Sequence, residues 1–239
     1  MKYTITKRNQ IKNISDWFMF APPKGGDKQW KTGRSAFEMA RFATSPEFSN
    51  LIEGLLNEVG VKKSQTFNCE PEAETCFPSD RMGTGGPRNH DLLMVSKDCV
   101  IGIEAKVSES FDKTIGEKRK DAGDNMNKRL NGAVEYLFGD KVPQNVEELR
   151  YQLFSATIGT LEEAKKYNLK TAIVLVLVFT GEVEREKNYE DNISRNNKDF
   201  EAFCKAVGVG PDGSVNVAAA EGIKCYLKKV EVNISKFDF

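Results

Sequence analysis

The sequence predicts an α/β fold, a central mixed β-sheet flanked by α-helices with N- and C-terminal extensions, and three segments of the 239-residue chain predict it. Thr171 to Thr180 is a continuous apolar, β-branched run, the pattern of a strand buried on both faces within a parallel or mixed sheet. Directly before it, Asn145 to about Lys166 places Val146, Leu149, Leu153, Ala156, Thr160 and Ala164 at helical spacing. Helix followed by central strand implies a crossover connection and a layered fold. Asn89–Val95 and Val100–Val107 are two more apolar runs, parted by four residues, and they predict a hairpin.

Residues 1–30 mix apolar and polar positions without a firm period and break at Ala21-Pro22-Pro23-Lys24-Gly25-Gly26, so residues 1–34 read as an extension packed on the main body. Ser35 followed by Glu38 is a capping-box signature for a short helix to about Ala43. Ser45-Pro46 starts a second helix, in which Phe48, Leu51, Ile52, Leu55, Leu56 and Val59 share a face and Gly60 terminates the run. Residues 64–77 contain a strand interrupted by Pro71. Ser79 to Arg88 is a Gly-rich loop whose Gly83, Gly85 and Gly86 amides could approach a phosphate or serve only as a hairpin connection. Residues 108–125 are strongly charged and predict a mobile loop or frayed helix. Asn145 and Glu148 have capping-box spacing for the helix that precedes the central strand. Residues 181–239 add a charged loop, a helix near Lys198–Ala206, a Gly-rich turn and a closing strand near Ile223–Val232, an α+β extension of the 35–180 core.

A chain of this length buries a substantial core. Its formal net charge is zero, so no global basic field advertises nucleic acid, and such a partner would be held by local patches. The first residues lack the apolar stretch of a signal peptide and no run is long enough to span a bilayer, which predicts a cytoplasmic protein with no membrane partner. Five cysteines at irregular spacing form neither a metal motif nor a secreted framework and read as reduced thiols. A single histidine excludes a multi-histidine zinc centre and makes any Ser-His-Asp triad depend on His90.

The hairpin carries the chemistry. With Ser96 to Cys99 as its turn, Val95 faces Val100 and Asp91 faces Glu104, while alternation puts Glu104 and Lys106 on one face. Two carboxylates this close, in a partly dry setting, need a cation, which is either a hard divalent ion or the Lys106 ammonium.

The motif Asp91…Glu104-Ala105-Lys106, in the order helix, strand, Asp-bearing strand, Glu-x-Lys strand, helix, central strand, resembles the PD-(D/E)xK nuclease-like (restriction endonuclease-like) superfamily over roughly residues 35–180. His90 stands where the namesake proline would be. The resemblance implies a restriction endonuclease-like core and metal-dependent hydrolysis of phosphodiester bonds in nucleic acid, DNA foremost, as in a restriction or defence system. It implies that Asp91 and Glu104 ligate Mg²⁺ or Mn²⁺ with the Ala105 carbonyl, and that Lys106 orients or activates the attacking water. It also makes Glu38 and Gln152 supporting residues of the site. Glu38 could equally close a capping box, Gln152 could make a plain hydrogen bond, and Lys106 could form a structural ion pair. Arg34, Arg81 and Arg88 are candidate phosphate contacts or solvated loop residues, and Trp17 to Phe20 could stack bases or pack the core. The resemblance is compatible with a homodimer or with a specificity-giving protein partner. The rival class is a catalytically inactive nuclease-like binding or scaffold protein, favoured by the neutral surface and opposed by the intact trio.

Overall fold

The computed structural model of the chain describes residues 1–62, 66–83, 86–181 and 189–236. Among these, seven strands form one mixed sheet in the order β2-β1-β3-β4-β5-β6-β7. The strands are β1 (Lys2–Lys7), β2 (Asn9–Ile11), β3 (Thr66–Thr75), β4 (Arg88–Val95), β5 (Val100–Lys106), β6 (Thr171–Thr180) and β7 (Lys224–Asn233). The helices are α1 (Ile14–Phe20), α2 (Ser35–Ala43), α3 (Pro46–Glu58), α4 (Ser79–Met82), α5 (Ile115–Lys120), α6 (Asp124–Phe138), α7 (Tyr151–Lys166) and α8 (Tyr189–Val207). No helix among the described residues is long and apolar enough to cross a membrane.

β6 is the centre that its composition predicts. It runs parallel to both β5 and β7, and its side chains alternate between two cores. Val174, Val176 and Val178 join α6, α7 and α8 on one face, whereas Ile173, Leu175, Leu177 and Phe179 join α2 and α3 on the other. Each parallel neighbour is reached by a helical crossover, through α5–α7 before β6 and through α8 before β7. The segments expected as terminal extensions supply strands of the same sheet: β1 pairs in parallel with β3, and β7 with β6 over its whole length.

Several local expectations are corrected. Ser35 is the first residue of α2 rather than its cap; Glu38 accepts the Gly33 N–H at 2.9 Å, and the Ser35 N–H points to Glu109. The Asn145/Glu148 pair lies in a 3₁₀ turn, Val146–Glu148, and α7 begins only at Tyr151, with Arg150 at its N-cap and no side-chain cap bond. The charged stretch 108–125 is ordered at its centre, where Thr114 and Glu117 form a reciprocal capping box for α5. α6 follows, which the sequence pattern does not place; its first turns are polar, and Leu130, Ala133, Val134, Tyr136, Leu137 and Phe138 are buried further along it. The C-terminal helix is longer than expected, starting at Tyr189. Part of the Gly-rich loop forms α4, and Gly85 lies outside the described residues. Trp17 is buried in the core while Met19 is 69% exposed.

The hairpin register is Val95↔Val100 through Leu92↔Ile103, as predicted, but the ladder stops there and does not include the expected Asp91↔Glu104 pair, because β4 and β5 part just before Asp91 and its carboxylate turns to the Ala105 N–H. A second irregularity falls at the same level. Leu92 and Met94 join the α2–α3 core, yet Arg88 and His90, of the same parity, lie against Ser155 and Gly159 of α7 on the opposite face. β3 does the same: Cys69 faces one core and Ala73 the other. The alternation therefore reverses at the opposed residues Glu72 and Asp91, between the pairs Pro71↔Leu92 and Ala73↔His90. Glu72 has φ +46°, a left-handed conformation that a non-glycine residue adopts at a cost.

Helix α7 seats on this irregular patch through glycines. A Cβ on Gly159 would come within 2.5 Å of Thr75 Oγ1 and 2.9 Å of His90 Nε2. Gly159→Ala is therefore expected to lose about 1–3 kcal/mol in urea unfolding through overpacking, despite the roughly 1 kcal/mol that alanine gains over glycine in a helix. An unchanged or raised midpoint would show that α7 does not pack this closely.

Candidate active site where two strands part

Once β4 and β5 separate, the backbone groups of Ala105 lose their ladder partner. The Asp91 carboxylate replaces it, accepting the Ala105 N–H on Oδ2 at 2.7 Å. Both polar groups of a strand residue point toward the same neighbour, so strand geometry aims the Ala105 carbonyl at this gap as well. Glu104, 1% exposed, stands on the α7 face. Its Oε1 is hydrogen-bonded and ion-paired to Arg88 Nη2, and its Oε2 accepts from Gln152 Nε2 at 2.5 Å. Lys106, also buried, lies with Nζ 5.6 Å from the centre of the Phe111 ring, within electrostatic range of Asp91 and Glu104.

The structure thus brings together Asp91, Glu104, Ala105, Lys106 and Gln152. Arg88, expected as a phosphate contact or a solvated loop residue, is instead the first residue of β4, 7% exposed and turned inward onto Glu104. Glu38 is buried on α2, its oxygens taken by the Gly33 N–H and by Arg41 Nη1 at 3.0 Å, and so anchors the loop before that helix. Arg34 is half-buried at the N-cap of α2, and Arg81 lies exposed on α4, within electrostatic range of Glu221.

Two acidic residues that sequence reading passed over belong to the same place. Glu72, opposite Asp91, receives a side-chain hydrogen bond from Asn89. Glu109 accepts the Val107 N–H at 2.8 Å and the Ser35 N–H at 3.3 Å, tying β5 to the start of α2. For Glu72 the cue in the sequence was alternation on β3, which the reversal at that residue defeats, and Glu109 lies past the end of β5, outside any strand pattern. His90 acts locally: its Nδ1 lies 3.2 Å from Arg88 Nη1, and since guanidinium only donates, Nδ1 is the acceptor.

Three of the four carboxyls in the site are shifted upward; Glu109 is the exception, where burial is outweighed by the Val107 N–H, the Lys106 charge and the Ser35 N–H and the carboxyl is held below its ordinary range. Burial pushes the Glu104 carboxyl up to about 7 although Arg88 opposes the shift, and Asp91 adds to it. Burial also raises Glu72 to about 7, with the Asp91 charge contributing. Asp91 is raised by burial against the pull of Lys106 and the Ala105 N–H. His90 is held well below its ordinary range, first by burial and then by Arg88. Burial is thus the leading cause of the raised carboxyls, and the Arg88 and Lys106 charges oppose it without offsetting it.

Beside the cluster, Arg88, Asn89, Asp112, Tyr151, Gln152 and Ser155 line a cleft of about 280 Å³, which opens the start of α7 to solvent. Among the described residues no group of three or more His, Cys, Asp or Glu is arranged as a ready metal cage. The donors that are present are hard oxygens: Asp91 Oδ1, Glu104 Oε2 and the Ala105 carbonyl. That set suits one Mg²⁺ or Mn²⁺, ions commonly held by one or two carboxylates with water and substrate completing the shell, and it lacks the softer ligands of zinc sites.

A family model described as a domain of unknown function, DUF6946, matches residues 10–234. No curated protein and no solved structure matches the chain.

Because the folded protein holds Glu72 protonated up to about pH 7 and an unfolded chain only to about pH 4.5, this residue lowers stability as pH rises between those values. Glu72→Gln is expected to match the wild type near pH 4 in EDTA and to melt about 2–4 °C higher at pH 8, the shift that roughly 1 kcal/mol produces in a chain of this size. A constant difference at both pH values would contradict the raised Glu72 carboxyl, set first by burial and then by the Asp91 charge.

Proposed function

The chain belongs to the DUF6946 family, whose description names no activity, and from the site itself we propose that the protein is a Mg²⁺- or Mn²⁺-dependent nuclease acting on DNA. The observation that carries this reading is the convergence of Asp91, Glu104 and Lys106 where β4 and β5 part, with Gln152 of α7 bonded to Glu104. That arrangement resembles the PD-(D/E)xK nuclease-like superfamily in residue type and in strand context, and the mixed sheet with helices on both faces is compatible with a restriction endonuclease-like core.

In this reading Asp91, Glu104 Oε2 and the Ala105 carbonyl hold the divalent ion. The ion, when bound, supplies Lewis-acid stabilisation of the phosphate and makes water a readier source of hydroxide. The rest falls to the chain. The Ala105 N–H fixes the direction of the Asp91 carboxylate, and Gln152 fixes that of Glu104, so neither ligand pays rotamer entropy on binding. Lys106, held on β5 beside both, orients the attacking water and places a positive charge where the phosphate gains negative charge in the transition state. The cleft at the start of α7 is lined by Arg88 and Gln152, the two side chains bonded to Glu104, and is the side from which a phosphate would approach.

A second reading rests on a specific observation. The buried pairing of Glu104 with Arg88 resembles a purely structural ion pair, as a catalytically inactive nuclease-like scaffold would keep. One assay separates the two. Purified protein incubated with plasmid, single-stranded DNA and RNA in Mg²⁺ or Mn²⁺ is expected to cleave DNA, and Asp91→Asn and Lys106→Ala are each expected to slow cleavage by about 10²–10³-fold. Cleavage that survives both substitutions would sink the mechanism; no cleavage of any substrate by the wild type would favour the scaffold.

A further inference from the structure

The side chain of Arg88 is more constrained than an ion-pair partner needs to be. Its Nε lies 3.3 Å from Ser155 Oγ of α7, its Nη1 donates to the Asn89 carbonyl at 2.9 Å and to His90 Nδ1 at 3.2 Å, and its Nη2 is bonded to Glu104 Oε1. Four acceptors, from two strands and one helix, surround a guanidinium that is almost wholly removed from solvent. The placement depends on the strand irregularity: the reversal at Glu72 and Asp91 turns Arg88 and His90 toward α7, the face on which Glu104 stands. Since His90 Nδ1 accepts, the ring is a neutral acceptor with its proton on Nε2, and it serves to hold one arm of the fork. Swinging Arg88 away would leave Glu104 Oε1, His90 Nδ1 and the Asn89 carbonyl short of a donor in a dry site, and it would leave Glu104 as a buried charge without a partner.

We infer that Arg88 is a permanent second cation of the site: its guanidinium holds Glu104 Oε1 with a fixed positive charge, whereas the partner of Oε2 is the neutral Gln152 amide, so the protein takes up a single divalent ion, shared by Asp91 and Glu104 Oε2. This rests on the metal-dependent reading above and deepens it. In sites with two metal ions, one ion steadies the attacking oxygen and the other the leaving oxygen; here a fixed guanidinium supplies the second positive charge. Arg88 is on this account a positioning residue for Glu104, and His90 a positioning residue for Arg88.

Ion uptake tests this without reference to turnover. Calorimetric titration of the intact protein with Mn²⁺, paired with Mn²⁺ electron paramagnetic resonance, is expected to give one ion per chain and no spin-coupled pair. In Arg88→Met, with folding checked by circular dichroism, Glu104 Oε1 is released, and the variant is expected to take a second ion or to hold the first at least tenfold more tightly. Two ions in the wild type, or unchanged number and affinity in folded Arg88→Met, overturns the inference. Should Arg88→Met fail to fold, Arg88→Lys keeps a charge but cannot span the four acceptors; it is expected to bind the single ion at least tenfold more tightly, and unchanged binding again overturns the inference. No ion bound by the wild type would instead remove the metal-dependent reading from which the inference starts.

Discussion

Negative charge held out of water at the parting of β4 and β5 is the constraint on which the rest of the structure turns. Glu72, Asp91 and Glu104 come from three adjacent strands to one place, and burial penalises the charged form of each. Carboxylates are seldom buried without a partner. Here the partners are Arg88 and Lys106, the Ala105 N–H and the Gln152 amide, each delivered by a different feature of the fold.

The irregularities near the site serve that delivery. Ending the hairpin ladder at Leu92↔Ile103 frees the Ala105 backbone for Asp91. Reversing the pleat at Glu72 and Asp91 lets β4 feed Arg88 and His90 to one face after its later residues have packed the other. Glycine at 159 and at 102 lets α7 approach the sheet closely enough for Gln152 and Ser155 to reach Glu104 and Arg88. Around this patch the sheet is regular, and β6, buried on both faces, supplies the rigid wall against which β5 presents Glu104 and Lys106. Of the described non-glycine residues with positive φ, Glu72 is the one that lies within a strand, and strain inside a regular element is a common mark of a functional site.

What was legible in the sequence follows from how local each signal was. The limits of β6 and the span of α3 could be read directly, because a ten-residue β-branched run and a proline-initiated apolar face leave few alternatives. The hairpin register followed from the position of its turn. Capping signals misled where tertiary contacts outbid them: Glu38 reaches past Ser35 to Gly33, and α7 starts one turn later than Asn145 and Glu148 suggest. Helix α6 was missed because its first turns are polar, and its apolar residues become significant only once α4 and α7 pack on it. β1 and β2 were illegible for a similar reason, since β2 is a three-residue edge strand and β1 beside it fully buries only Ile5, so their pattern is weak. Asp91, Glu104, Lys106 and Gln152 could be gathered from spacing and resemblance. Glu72 and the inward turn of Arg88 could not, because strict alternation on β3 and β4 fails at that level of the sheet.

The central claim is that this crowded cluster is completed by a divalent ion held between Asp91 and Glu104. Crystals of the protein soaked in Mn²⁺ and measured at an energy where manganese scatters anomalously test it most directly. The account predicts one anomalous peak per chain, about 2.1 Å from a carboxylate oxygen of Asp91 and from Glu104, with Arg88 still seated on Glu104. A fully soaked crystal with no peak there, or with the ion bound away from both carboxylates, would contradict it.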